Sequence, residues 1–293
     1  MNGIVLVTGA SGNVGNEVVK QLVARGQRVR AATRTASSLP FAAHGIDTCA
    51  FDFTDPATFG PALAGVDRVF LVRPPHMAKA AAFEPFLSAM HEARVGHVVF
   101  LSLLGVERNP IVPHHGIEKR LKGSGLGWTM IRPGFYMQNL STTHLADIRD
   151  HGVISVPAGN GRTSLIDVRD IAEAVAVVLS ENGHLNRGYA VTGREAITYQ
   201  DAARILSQVT GREIRYTAPS GAQFARHMAA AGHPRDFITV MRGIYLVAKL
   251  GMAGTVTQEL PRLIGRPAIT FEQFARDNAA LFGSPASAVP ASA

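Results

Sequence analysis

The chain has 293 residues, 46% hydrophobic and 17% charged, a balance that suits an α/β protein with a large core and allows one large domain plus a smaller lobe. A single cysteine, Cys49, excludes an internal disulfide and fits a reducing compartment, so a cytoplasmic location is expected. The net charge of +7 is scattered singly or in pairs without interleaved aromatics, which speaks against nucleic acid and for a basic surface around an anionic small ligand.

In chain order, IVLVT (4–8) predicts a first strand, and Thr8, Gly9 and Gly12 cut the apolar start before a signal-peptide core can form. Further strands are expected at 28–33, 47–51, 68–72, 97–102 and 127–131, with helical patterns at 13–25, 77–94 and 114–123 between them. This alternation is that of a parallel sheet. Pro85 is expected to kink the second helix, and Cys49 to be a core thiol on a buried strand. After residue 134 the rhythm changes. A helix near 139–150 precedes VISVPAGNGRTSLI, which predicts a hairpin turning at Gly159–Gly161. DVRDIAEAVAVVLS predicts a helix with an Asp cap, in which Asp167 and Asp170 are explained by the helix start. A strand at 188–192, a helix at 199–209 and a strand at 213–217 follow, then short helices over 220–282. Among these, FITVMRGIYLVAKLGMAG carries Arg242 and Lys249, so it predicts an amphipathic helix rather than a membrane span; no run approaches the ~18 apolar residues of one. Residues 283–293 predict a disordered tail.

Gly9, Gly12 and Gly15 lie between a buried strand and an amphipathic helix, the context in which a glycine triplet binds a dinucleotide. The turn, with Ser11, Asn13 and Val14 between and beside the glycines, presents backbone N–H groups and a helix N-terminus to a pyrophosphate. At the end of the second strand, where an NAD site places an acid, stand Thr33 and Arg34. A guanidinium there pairs with a 2′-phosphate and stacks on adenine, so NADP(H) is expected over NAD(H). Asp52, at the end of the third strand, is placed to accept from an adenine amino group; the rival reading, a helix cap, suits Asp55 better.

Residues 7–15 (VTGASGNVG), 32–34 (ATR), 51–55 (FDFTD), 69–75 (VFLVRPP), 97–105 (HVVFLSLLG), 114–139 (HHGIEKRLKGSGLGWTMIRPGFYMQN) and 164–175 (SLIDVRDIAEAV) resemble, in order and spacing, the atypical short-chain dehydrogenases of the NmrA-like group. That group includes type 2 quinone oxidoreductases, triphenylmethane reductases, azoreductases, imine-reducing enzymes and redox-sensing regulators that bind dinucleotide without catalysis. The resemblance implies a Rossmann-type doubly wound parallel sheet over 1–134, to which 167–193 return. It also implies a smaller, mostly helical C-terminal substrate lobe of residues 135–166 and 194–282, with the substrate cleft between the two. It adds Phe53, Val72, Arg73, Ser102, His114, Pro133 and Phe135 to the cofactor residues, those from Val72 onward lining the nicotinamide end.

The usual catalytic Tyr of the superfamily is missing from the helix after the fifth strand. By the group's H-x-x-x-E pattern, His114 with Glu118 falls near its place. The one literal Tyr-x-x-x-Lys, Tyr245 to Lys249, lies far downstream and is expected to be coincidental. Reduction of a simple ketone makes an alkoxide that needs a proton donor at once. A quinone, an iminium or a cationic dye delocalises or cancels charge and can take its proton from water or from a weak donor. Candidate donors are His114 and Tyr136; Tyr136 and Phe135 are equally explained as an apolar pocket wall. The expected partner is a small hydrophobic or aromatic substrate, with no nucleic acid, no membrane and no metal, for a monomer or homodimer. The function expected is an NADPH-dependent oxidoreductase; the alternative is a non-catalytic NADP-binding redox sensor.

Overall fold

The computed structural model describes residues 3–34, 45–75 and 77–283. The chain forms two compact units. The first comprises residues up to Pro133, Val168–Val191 and Thr257–Pro267; the second comprises Gly134–Asp167, Thr192–Val256 and residues from Ala268.

In the first unit seven strands form one sheet: β1 (Ile4–Val7), β2 (Arg28–Thr33), β3 (Asp47–Ala50), β4 (Val66–Val72), β5 (His97–Leu101), β6 (Trp128–Pro133) and β10 (Arg187–Val191). Their order is β10-β6-β5-β4-β1-β2-β3, and every pairing is parallel. The chain therefore winds outward in both directions from β1 and β4, and the strand order reverses between them. A parallel sheet covered on both faces needs near-continuous apolar strands. Val5, Leu6, Val7, Val69, Phe70, Leu71 and Val98 to Phe100 meet that need and are fully buried. The flanking helices include α1 (Asn13–Ala24), α3 (Glu84–Glu92), α4 (Pro113–Gly123) and α7 (Val168–Ser180), with α7 packed on α1.

The second unit carries β7 (Phe135–Tyr136), β8 (Val153–Ser155), β9 (Thr163–Ile166), β11 (Ala196–Ile197) and β12 (Arg215–Thr217). Its helices are α5 (Gln138–Ser141), α6 (Leu145–His151), α8 (Tyr199–Thr210), α9 (Gly221–Ala230), α10 (Arg235–Lys249), α12 (Phe271–Asp277) and α13 (Ala279–Phe282). Capping boxes Thr198/Asp201 and Ser220/Gln223 start α8 and α9, satisfying backbone donors that a helix start leaves free. The unit has its own core, built around Tyr199, Phe224, Tyr245, Phe271 and Phe274.

Several expectations are corrected. The segment 153–166 is not a hairpin: β8 pairs in parallel with β12, whereas β9 pairs with β7 and β11. Pro85 kinks nothing, because it stands in the first turn of α3, where its missing N–H has no bond to lose. The expected helix at 139–150 is two short helices, α5 and α6. Cys49 sits half-buried on β3, the sheet's edge strand, where burial pushes its thiol up to about 11. Residues 257–267, expected in the second lobe, cluster with the first unit. There α11 (Glu259–Ile264) is tied to β10 by Glu259, which accepts from the backbone N–H of Ala190, while Arg266 pairs with Asp170 and Glu173 of α7. Beyond Gly283 the expected tail lies outside the described residues. No described helix is long and apolar enough to cross a membrane.

Candidate functional site

At the carboxyl end of β1, beside the reversal of strand order, the chain turns sharply into α1. Gly9 holds φ at +63°, a left-handed conformation that disfavours any side chain. The N–H of Gly12 closes the turn on the Gly9 carbonyl at 2.9 Å. A Cβ on Gly15 would lie 2.2 Å from that same carbonyl oxygen, so only glycine lets α1 approach the turn this closely. Gly12 is the N-cap of α1, without a side-chain cap, and the first turn carries no acid. Ser11, Gly12 and Asn13 are exposed, whereas Val14 is buried and anchors the helix. The result is an open helix N-terminus with its backbone N–H groups presented to solvent, a place suited to a phosphate.

One strand away, Thr33 ends β2 half-buried and Arg34 follows it exposed. No described residue pairs with the Arg34 guanidinium. Asp52 Oδ1 accepts from the backbone N–H and the hydroxyl of Thr54 at 2.8 and 2.7 Å, so one carboxylate oxygen closes a local turn. Asp55 caps the following helical turn through Ala57, the role expected of it. Phe53 packs its ring on Phe51, Phe83 and Phe86.

At the ends of β4, β5 and β6 the side chains expected near the nicotinamide are bound to one another. Arg73, next to the half-buried Val72, donates to the carbonyls of Pro74, Pro75 and Met77 at 2.9–3.0 Å and clamps the loop after β4. It also reaches His114 Nε2 at 3.4 Å. That donor fixes His114 as the Nδ1–H tautomer, and Nδ1 is buried without a hydrogen-bond partner. Burial and the Arg73 charge push the His114 pKa down to about 4, so the ring is neutral at neutral pH. Ser102, 1% exposed, donates its hydroxyl to Glu118 Oε1 at 2.7 Å. Glu118 in turn receives a two-pronged contact from Arg132, at 2.9 and 2.7 Å. Burial acts to raise the Glu118 carboxyl, but the hydrogen bonds from Arg132 and Ser102 outweigh it and hold it below the ordinary value. Pro133, buried, ends β6.

This geometry gives two of the expected residues partners within the protein. Ser102 directs its hydroxyl hydrogen at Glu118, which leaves its oxygen lone pairs as acceptors. His114 is neutral, with Nε2 facing the Arg73 guanidinium and a buried Nδ1 that has no hydrogen-bond partner. In sequence, Glu118 was visible only as the partner of a motif, and Arg132 only as the first residue of the stretch RPGFYMQN expected at the nicotinamide end. The signal was Arg132 inside the otherwise apolar strand WTMIRP, a cation that burial forces to find a counter-charge.

In the second unit Phe135 and Tyr136 form β7 beside β9, both half-buried. Burial raises the Tyr136 phenol above its ordinary value, and no described residue hydrogen-bonds its hydroxyl. Tyr245 is fully buried in this unit's core, its hydroxyl 2.5 Å from His144 Nε2, while Lys249 points to solvent. The downstream Tyr-x-x-x-Lys is thus a core tyrosine and a surface lysine. Asp167 accepts from Gln138 at 2.9 Å, and Asp170 is paired with Arg266, so their places are explained by buried contacts as well as by the start of α7. Among the described residues no group of His, Cys, Asp or Glu could hold a metal ion.

Residues 1–249 match the NmrA-like family model. An NAD(P)H azoreductase of Xenophilus azovorans is 34% identical over 286 residues, covering 96% of this chain and all of that protein. The NADPH-dependent quinone oxidoreductase of Escherichia coli, solved in complex with NADPH, superposes with a TM-score of 0.84 at 28% identity, covering 94% of this chain and 99% of that one. The Citrobacter sp. triphenylmethane reductase complexed with NADP(H) gives 0.82 at 25% identity, with the same coverage. With the glycine turn, the parallel sheet and these matches running through most of its length, the chain belongs to the NmrA-like family.

Proposed function

We propose that this protein is an NADPH-dependent reductase that passes hydride to a conjugated electrophile, such as a quinone, an imine or a dye-like molecule. The residues at the turn fit the cofactor. Gly9 and Gly15 shape a cradle that a Cβ would fill, the open end of α1 suits a pyrophosphate, and Arg34, exposed and without a partner among the described residues, suits a 2′-phosphate. When bound, NADPH supplies the hydride.

The observation that carries the substrate class is the engagement of the proton donors. Ser102 donates to Glu118, and His114 is neutral, with Nε2 facing Arg73 and Nδ1 buried. What these groups do is hold the ends of β4, β5 and α4 in fixed positions. An acceptor whose reduction leaves a delocalised anion or a neutral product needs no strong acid from the protein, whereas an isolated ketone does. The names of the relatives point the same way: azo compounds, quinones and triphenylmethane dyes are all conjugated acceptors. Tyr136, whose hydroxyl has no hydrogen-bond partner among the described residues and whose pKa burial raises, serves as part of an apolar wall, and solvent supplies the proton.

The test is loss of NADPH absorbance in the near ultraviolet against a panel of quinones, imines, azo and triphenylmethane dyes, and simple ketones. Conjugated acceptors should be turned over and ketones should not. His114→Ala and Tyr136→Phe should each lower kcat by about tenfold at most, below the 10²–10⁴ range of general acid catalysis. A loss of several thousandfold in either variant, with cofactor affinity intact, would identify that residue as the acid and overturn the water-protonation reading. No turnover with any acceptor, together with clearly different affinities for NADP⁺ and NADPH, would make the protein a redox sensor instead.

A further inference from the structure

Six of the exposed large hydrophobic side chains fall within one short stretch of the second unit. These are Val240, Leu246, Val247, Leu250, Met252 and Val256, and four of them are more than half exposed. The stretch is α10 and the turn that follows it. One face of α10 is buried through Ile238, Met241, Tyr245 and Ala248, which fixes the helix on its own core. At 100° per residue Asp236, Val240, Gly243, Val247 and Leu250 share the opposite face, so beyond Asp236 this helix has a second apolar stripe, exposed among the described residues. Along one edge of that stripe run Arg235, Arg242 and Lys249, all exposed and spaced seven residues apart. From Ser220 to Val256 the sequence holds Arg226 and these three cations against a single acid, Asp236.

An apolar stripe flanked by fixed positive charge is the pattern of a helix that lies in the plane of an anionic lipid surface, its hydrophobic side chains in the acyl boundary and its cations at the headgroups. A two-fold antiparallel pairing of this face with a second copy would set the cationic edge against itself, which disfavours that occupant. We infer that the outer face of α10, with Leu250 and Met252 beyond it, is a docking surface for an anionic membrane, bound peripherally and reversibly.

The experiment is co-sedimentation of the full-length protein with vesicles of equal parts phosphatidylglycerol and phosphatidylcholine, and with vesicles of phosphatidylcholine alone. The protein should bind the anionic vesicles, bind the neutral ones at least about tenfold more weakly, and be released by high salt. Two variants, Leu246→Asp with Leu250→Asp, and Arg235→Glu with Arg242→Glu and Lys249→Glu, should each reduce binding by more than about tenfold. Both change exposed positions, and unchanged circular dichroism and melting temperature confirm that they fold. Arg262→Glu on α11 of the first unit, a charge reversal outside α10, should bind as the wild type does. The inference is overturned if the protein ignores both vesicles, if the two variants bind as well as the wild type, or if sedimentation equilibrium finds a dimer that Leu246→Asp with Leu250→Asp dissociates while no vesicle is bound.

Discussion

Arg34 stands exposed after β2 without a partner among the described residues, so its charge is available to a ligand. Arg34→Ala should weaken NADPH binding by about 1.5–3 kcal/mol, the scale of a hydrogen bond to a charged group, and leave NADH unaffected. Equal losses for the two dinucleotides in calorimetric titrations would remove the residue from the 2′-phosphate. Glu118 is the opposite kind of residue, a buried carboxylate that satisfies Ser102 and Arg132 together. Glu118→Ala leaves the Arg132 guanidinium, 15% exposed, without its main counter-charge, and stability should fall by about 3–5 kcal/mol. A denaturant midpoint within error of the wild type would show that Glu107, the second carboxylate near Arg132, takes over the pairing.

Between β1 and α1 the constraint belongs to the joined pair of elements. Gly15→Ala puts a methyl 2.2 Å from the Gly9 carbonyl oxygen, so either α1 shifts outward or the turn opens. Stability should drop by about 1–3 kcal/mol, and dinucleotide affinity should drop with it, because the N–H groups at the helix start move away from the phosphates. Gly60→Ala, where a Cβ meets nothing within 4 Å, is the matched control and should change stability by no more than about 0.5 kcal/mol. If both variants behave alike, the close approach at Gly15 is not what requires glycine. Elements whose partner lies nearby in sequence were legible from the sequence: β1, α1 and β2 sit where the residue pattern places them. The segment 153–166 misled because a Gly-rich stretch between two apolar runs signals a hairpin locally. The actual partners of β8 and β9 lie at 215–217 and at 135–136 and 196–197, and no local pattern records them.

Across the whole molecule, buried neutral histidines set the acid side of the stability profile. His97 in the first unit and His144 in the second are buried, and burial pushes both pKa values down to about 4 from 6.5. The unfolded chain binds protons at these sites below about 6.5 while the folded chain does not until about 4, so the unfolded state holds more protons in this window. Their contribution is complete above pH 6.5 and is lost as pH falls from 6.5 toward 4, by about 2–3 kcal/mol for each. Melting temperatures measured over that range should fall with pH, and His97→Gln with His144→Gln together should flatten the slope whatever their effect at neutral pH. An unchanged slope in the double variant would assign the acid sensitivity to other groups.

The sequence by itself determined the parallel sheet, the glycine turn and the position of Arg34, because each is written in short-range terms: apolar runs of strand length, a φ only glycine adopts readily, and a missing acid at a fixed distance from the turn. The tertiary structure alone decided that β3 is an edge, that residues 257–267 belong with α7 and β10, and that Ser102 and His114 are engaged. A residue type announces what a side chain can donate or accept. Which partner takes it depends on chain segments brought together only by folding: Ser102 meets Glu118 from the next helix, and His114 meets Arg73 from 41 residues earlier. In a buried site each donor and acceptor is matched with a partner, and that allocation is fixed by packing rather than by pattern.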